Sequence, residues 1–545
     1  TQQLDMATFI RTQVDRGANT WSARNEAMKK WYNLIRLEDN LAQDNMESVI
    51  SADPRTGFNT AAWLLQPKAW SFRIDTEGFS DEEVRGASVV ERAMEIEVAR
   101  ANRFSRTGLY GPFFRRILAT FLATGWLSFM AVPTQPHWTF RAWNPATVFP
   151  EYDDSGDSIS IGRRYILSAS QVNTRIAEQG WIPPASRFTQ SQTVRTLWLR
   201  TQGTTWMGAL IGQNHLARPM LETPFHTIPA YVMPGGGLPD DGSIIASDKW
   251  RTEIGQALVA AVHDMQQNYN KMLTYMQQLL KDTANPKWVE RVNGAGVLTP
   301  ENIYKRGSIY SIEPGEDIFS VGPPGMPPEL RGHELDIRAQ IQRGLFPDVS
   351  FGNFTAQVSS FVMSQATATA QQVLSPFHET LMHAMGQSAQ VNLQFMRDFG
   401  GDLFGLPMPD VPDELSVDFE YDIVIPGDII NRANTARLLN PDFRLSADTL
   451  VRILFPEVKN AAMEMGRLNS EDALNHAMSK AITIIREFRR GALEAAELND
   501  RESEVLLNQA ADTMQAQVLG VQRAQGVAQP TLDDAGFKAL TGALD

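Results

Sequence analysis

The stretch LVAAVHDMQQNYNKMLTYMQQLL, residues 258–280, decides how the chain reads. Within it Leu258, Val262, Met265, Tyr269, Met272, Met276 and Leu279 recur at alternating spacings of four and three. A 3.5-residue period is that of a narrow apolar seam packed against a neighbouring helix. The remaining faces carry Gln256, Gln266, Gln267, Asn268, Asn270, Gln277 and Gln278, where a free surface helix usually carries Lys and Glu. Amide-rich flanks predict further helix contacts on either side. Asp248 is a candidate N-cap, and Asn285-Pro286 a stop, because proline disfavours helix in the residue before it. A helix of this reach is a rod of roughly 50 Å. Periodicity alone fits one long helix in an ordinary bundle equally well.

Downstream, the pattern changes. Residues 286–328 hold Lys287-Trp288-Val289-Glu290-Arg291-Val292, Ser308-Ile309-Tyr310-Ser311-Ile312 and Asp317-Ile318-Phe319-Ser320-Val321, separated by Asn293-Gly294, Pro314-Gly315 and Gly322-Pro323-Pro324-Gly325. These predict short strands joined by tight turns. So small an insert cannot bury much core alone and is expected to pair with copies of itself or with a partner. Helix resumes near Pro328 with Leu330, Ile337, Ile341 and Leu345, then breaks at an aromatic, glycine-containing loop with Phe346, Phe351, Asn353 and Phe354. A third helix is predicted from about Ala356 to Phe399, bland in its first half, with a kink at Pro376 and an apolar stripe beyond it. Between Ser243 and Gly400 the order is thus stalk, tip and return.

The flanks are simpler. Residues 1–120 read as mainly helical, 124–232 as strands rich in Trp, Thr and Val, and Met233-Pro234-Gly235-Gly236-Gly237-Leu238-Pro239 as a linker. After Gly400 come a Pro-rich acidic connector, a strand from Val417 to Ile425, and helices opening at Ser446, near Pro456 and at Ser470. The tail from Gly520 is Gln-, Ala- and Gly-rich and is expected to be loose. The fold class is mainly α with β insertions, α+β.

Composition bounds the function. With 545 residues, 43% of them hydrophobic and 21% charged, the chain has room for roughly two to four folded domains. No apolar run approaches the ~18 residues of a membrane span, and the first residues lack the charged-then-apolar layout of a signal peptide. The absence of cysteine excludes disulfides and thiolate sites and suits a reducing cytoplasm. A formal net charge of -14 argues against a protein that grips nucleic acid statically, and is compatible with a conduit through which DNA slides.

Motifs for chemistry are missing from the sequence. Gly235 to Gly237 lack the Lys of a phosphate loop, and Gly294-Ala295-Gly296 lacks a third glycine at the right spacing. Asp153 to Asp157 lacks the glycine and glutamate of a calcium loop and reads as a solvated hairpin turn. His333-Glu334 has no second histidine at zincin spacing, and His378 and His383, five apart, are poorly placed for joint ligation. No serine sits in a Gly-x-Ser-x-Gly elbow. The expectation is no enzyme and no cofactor. Arg486, Arg489 and Arg490 are placed near a helix C-terminus, where they complement its dipole.

The order of parts resembles that of bacteriophage portal proteins, the head-to-tail connectors of tailed phages, and is most similar to the short-tailed type. Further pieces of the resemblance are Ser51-Ala52-Asp53-Pro54-Arg55-Thr56 leading into Ala61-Ala62-Trp63-Leu64-Leu65, the strand Gly125 to Val132, Asn144 to Pro150 before an acidic turn, and Pro224 to Val232. The resemblance implies a wing (1–242, with strands over 124–232), a first stem helix (243–285), a clip (286–328), a second stem helix (329–345), a tunnel loop (346–355), a kinked helix (356–400), a wing return (401–445), crown helices (446–520) and a flexible tail (521–545). It implies a homo-oligomeric ring, twelve-fold in the virion, at one capsid vertex and assembled in the host cytoplasm. Double-stranded DNA would pass through it, driven by the terminase large subunit. Capsid and scaffolding protein and a tail adaptor would be partners, without membrane contact. In such a ring Lys287, Trp288, Arg291, Lys305 and Arg306 are candidates for partner docking, though a solvated mixed surface is the default for the four basic residues among them. The three loop phenylalanines would shape a constriction or else plug a local core. Another ring-forming structural or pore component, or an unrecognised hydrolase, are the alternative readings.

Overall fold

The structure is a computed structural model that describes residues 2–38, 47–76, 78–104, 111–134, 137–238, 250–284, 287–291, 314, 317–321, 328–345, 360–398, 416–423, 477–497 and 500–524. It is mixed α and β, helix outweighing strand, and divides into two units, Thr1–Asp428 and Ile429–Asp545.

In the first unit, helix α1 (Gln2–Thr20) places Ile10, Val14 and Ala18 at four-residue spacing on one stripe, all buried. That stripe lies on a five-stranded antiparallel sheet of order β4-β5-β6-β7-β8, from β4 (Val148–Tyr152), β5 (Ser158–Leu167), β6 (Gln192–Thr201), β7 (Thr204–Ile211) and β8 (His215–Thr223). Gly208 lets the helix approach closely, since a Cβ there would stand 2.8 Å from Ile10 Cδ1. Helix α2 (Ser22–Arg36) follows. Helix α3 (Asp53–Leu64) opens with Pro54 in its first turn, where no intrahelical N–H is needed.

Strand β1 (Ser71–Ile74) lies inside the region read as helical. Its short alternating pattern is stabilised by antiparallel pairing with β12 (Val417–Glu420), which places Phe72 against Phe419. Helix α4 (Asp81–Phe104) leads to α5 (Phe113–Thr124), whose Phe113, Phe114, Ile117, Leu118, Phe121 and Leu122 are all buried. A helix apolar over so much of its surface belongs inside the core, and each such side chain contributes about 1.5–3 kcal/mol of burial. It packs on a three-stranded sheet of order β3-β2-β9, formed by β2 (Trp126–Thr134), β3 (His137–Ala142) and β9 (Ala230–Pro234). Between β5 and β6, helix α6 (Ala169–Glu178) starts on a capping box formed by Ser168 and Gln171. The acidic turn joins β4 to β5: the Asp153 carboxylate accepts the backbone N–H groups of Ser155 and Asp157, and Arg200 pairs with both Asp153 and Asp157.

The helix of the 258–280 stretch begins later than its sequence pattern predicts. A short helix α7 (Trp250–Glu253) is followed by irregular backbone and a 3-10 turn (Ala260–Val262), and the regular helix α8 runs His263–Ala284. The cause is backbone competition. The N–H of Gln256 donates to Gly235 O at 3.1 Å and that of Leu258 to Leu122 O at 3.0 Å, so both are committed to neighbouring segments. Asp248 lies outside the described residues. At 22 residues α8 is a rod of roughly 33 Å rather than 50 Å.

The rest of the stalk and return comprises β10 (Lys287–Arg291) paired antiparallel with β11 (Asp317–Val321), helix α9 (Pro328–Gly344), and helix α10 (Ser360–Asp398), which carries Pro376 in its interior. Beyond that proline, Phe377, Leu381 and Met385 are buried, and α10 packs on β2, β9 and β12.

In the second unit, helices α11 (Ala477–Glu497) and α12 (Arg501–Ala524) form an antiparallel hairpin. Buried Ala492, Ala495 and Ala511 permit close approach, and Asp500 opens α12 by accepting from Ser503 N and Oγ. Two expectations change here. Arg486, Arg489 and Arg490 lie mid-helix rather than at a C-terminus, with Arg489 donating to Gln515 on α12 and Arg490 paired with Glu494. Helix also continues to Ala524, past the Gly520 from which a loose tail was expected. The stretches predicted to open at Ser446 and Pro456 lie outside the described residues.

Candidate functional site

The candidate site is the arm formed by α8, the β10–β11 ladder and α9. At its base Val262 is fully buried with Ile341 and Leu345, and Gly344 lies so close that a Cβ there would stand 2.5 Å from Val262 Cγ1. Farther along, Tyr269 Oη donates to Glu334 at 3.2 Å. Residue 262 thus meets 344 and residue 269 meets 334, so the two helices run antiparallel. Burial foremost, then the Glu334 charge, pushes the Tyr269 phenol up.

The predicted seam is only partly a seam. Leu258 and Val262 precede the helix and belong to the main core, Tyr269 is buried, and Met265, Met272, Met276 and Leu279 are half-buried. The other deeply buried side chains of α8 are polar: Gln266, Asn270 and Thr274. Asn270 Oδ1 accepts Ser51 N at 3.1 Å and Thr274 Oγ1 accepts Val49 N at 3.0 Å, while Lys281 pairs with Glu47 at 2.7 Å. The amide-rich face therefore grips the backbone of the segment entering α3. Helix contacts on that flank were expected from the sequence, but the partner is irregular backbone rather than helix.

Toward the tip, large apolar side chains face outward: Tyr275, Leu280 and Leu335 are each more than half exposed, at 54%, 57% and 56%. On the ladder, Val289 and Phe319 are register partners and both exposed. Lys287 and Trp288 occupy β10 opposite Val321 and Ser320, and Arg291 stands exposed opposite Asp317. The predicted middle strand, Ser308 to Ile312, together with Lys305, Arg306 and the loop residues Phe346, Phe351, Asn353 and Phe354, lies outside the described residues.

Chemistry elsewhere is sparse. Among the described residues no three His, Asp or Glu side chains converge as metal ligands. His378 engages the Tyr421 carbonyl and His383 engages Gln387, so the two do not share a site. A cavity of about 310 Å³ around Phe188 and His215 contains no acid–base pair, and His215 Nε2 is engaged with Ile182 O. No helix among the described residues is long and apolar enough to cross a membrane.

Two groupings escaped sequence reading because they join distant segments. Arg24 is fully buried between Trp21 and Trp126, its carbon Cζ 4.4 and 4.9 Å from their ring centroids. Arg163 and Arg175 flank the ring of Tyr165. A local hint of the first is Trp21, at the N-cap of α2 and three residues before Arg24. No protein-family model matches the chain, and no curated protein matches it.

Proposed function

We propose that the chain is a subunit of a portal-type ring. The ring forms a channel at one capsid vertex, through which a terminase motor packages double-stranded DNA, the genome is later ejected, and a tail adaptor attaches. The observation that carries this reading is the antiparallel arm ending in a two-stranded ladder, with Tyr275, Leu280, Leu335, Val289 and Phe319 exposed along it. Side chains of this size lose hydration cost when covered, and a neighbouring copy of the same arm offers complementary helical and ladder surfaces. A heterologous contact repeated around an axis closes into a ring when its rotation divides a full turn. The acidic net charge of -14 suits a channel that must not hold phosphates. In this reading the subunit supplies geometry and the motor supplies ATP hydrolysis.

The functional test is packaging in a purified system. The chain alone is expected to hydrolyse no ATP and to support DNA packaging when terminase and capsid shells are added. Substituting Trp288→Ala together with Lys305→Glu and Arg306→Glu is expected to weaken motor or adaptor binding while assembly persists. Mutation-sensitive ATPase activity from the chain alone would overturn the reading.

A further inference from the structure

Three arginines converge from separate elements at the junction of two hydrophobic clusters: Arg141 on β3, Arg163 on β5 and Arg175 on α6. Along β5, Ile161 belongs to the main core and Tyr165 to the smaller cluster under α6, so Arg163 sits between them. Its Cζ lies 4.1 Å from the Tyr165 ring centroid and 4.6 Å from that of Trp143. Arg175 lies 5.3 Å from the same Tyr165 ring and 5.7 Å from Trp181. Cation–π contact with the three buried aromatics holds the two guanidiniums in place.

The neighbouring groups leave this charge uncompensated. Among the described residues Arg141, Arg163 and Arg175 make no ion pair and their guanidiniums donate no hydrogen bond; Arg163 Nε, Arg175 Nε and Tyr165 Oη are buried without a partner. The carboxylate of Glu178 acts on Arg141, where it offsets part of the burial and of the repulsion from Arg175. Burial, then the charges of Arg175, Arg141 and Arg116, lowers Arg163 to about 10, opposed by Tyr165. Buried donors with no acceptor are costly and rare in folded proteins. Positive charge gathered against its own repulsion, in a chain of net charge -14, is an arrangement that an anion relieves.

We propose that Arg141, Arg163 and Arg175 form a binding site for a single phosphate group. Each guanidinium offers a planar fork of donors. Three forks exceed what the two oxygens of one carboxylate can accept, whereas a phosphate has more acceptor oxygens and up to two charges. The aromatic rings lie buried behind the cations and are not stacking platforms, so recognition is by charge and N–H donors alone. A free phosphate and a nucleic-acid phosphate share this chemistry. The site belongs to the single subunit and does not depend on ring assembly.

The experiment is thermal unfolding of the full chain with inorganic phosphate titrated at constant ionic strength, paired with calorimetric titration. The expected result is a saturable rise in Tm, as for any ligand that binds only the folded state. Arg141→Gln, at the exposed rim, should bind roughly tenfold more weakly. The double variant Arg163→Gln with Arg175→Gln should lose the saturable response. If the double variant fails to fold, Arg141→Gln carries the test. Equal phosphate responses in wild type and variants would overturn the proposal, since general stabilisation by exclusion of phosphate from the protein surface does not depend on these side chains. Displacement of phosphate by equimolar acetate or by a polyglutamate peptide would also overturn it, marking a carboxylate site. Competing single-stranded oligonucleotides then identify the source. Displacement by oligonucleotides with and without a 5′-phosphate assigns the backbone, by the phosphorylated one alone a terminal phosphate, and by neither the free ion; each supports a phosphate site.

Discussion

Arg24 and Tyr421 are both buried polar side chains; Arg24 is hydrogen-bonded through Nη2 while its Nη1 has no partner among the described residues. Arg24 Nη2 donates to Pro145 O at 3.0 Å and to Val148 O at 2.7 Å, tying α2 to the turn before β4. Burial lowers its pKa to about 9, yet it stays charged at neutral pH. The Tyr421 hydroxyl has no partner among the described residues, and burial pushes it well above its ordinary value of 10.0. The folded state therefore keeps the phenolic proton where the unfolded chain releases it. Stability from this group is complete below pH 10 and falls as pH rises above it. Tyr421→Phe should keep the edge contact with His378 and cost nothing at pH 8, because no hydrogen bond is lost. Above pH 10 it should remove about 1.4 kcal/mol of the loss per pH unit. Urea unfolding at pH 8 and pH 11 checks both parts; a loss beyond about 1 kcal/mol at pH 8 would mean that the hydroxyl has a partner.

At the scale of elements, Gly125 is the joint on which the onset of α8 depends. It closes α5 with φ +73, and its carbonyl accepts the N–H of Gly235 at 2.9 Å. A Cβ there would stand 2.3 Å from the Gln256 carbonyl carbon. Gly125→Ala therefore combines a left-handed backbone with a backbone collision, and should cost more than about 2 kcal/mol in chemical denaturation. The arm makes the opposite prediction. Leu280→Glu with Leu335→Glu changes exposed positions, so the subunit should unfold within about 0.5 kcal/mol of wild type. Sedimentation should nevertheless show loss of assembly; intact assembly would remove these side chains from the copy interface.

Much of this element order was legible in the sequence. Alternation in Lys287–Arg291 and Asp317–Val321 marks the ladder strands, Pro328 marks the start of α9, and the apolar stripe after Pro376 follows α10 into the core. The start of α8 was not legible. Leu258 and Val262 continue the three-four spacing, but they are buried by the main core, and the N–H groups upstream bond to Gly235 and Leu122. Periodicity records which residues need burial, not which segment buries them. The arginine site escaped for a related reason: Arg141, Arg163 and Arg175 come from three elements and meet only through the tertiary fold.

For the whole molecule, the central claim is assembly into a closed ring. The exposed apolar arm and the net charge of -14 pull in different directions: the first favours contact between copies, the second opposes it at long range. In the proposed ring, short-range apolar burial is expected to prevail at physiological ionic strength, where a Debye length of about 8 Å screens the distant charge. Assembly should therefore be strengthened by salt, and duplex DNA should bind the assembled ring weakly with a shallow salt slope. The most direct measurement is the mass of the purified full chain under native conditions, with electron microscopy of the same sample. One closed, high-order ring with a central opening is the expected result. A stable monomer across a wide range of protein and salt concentrations would contradict it.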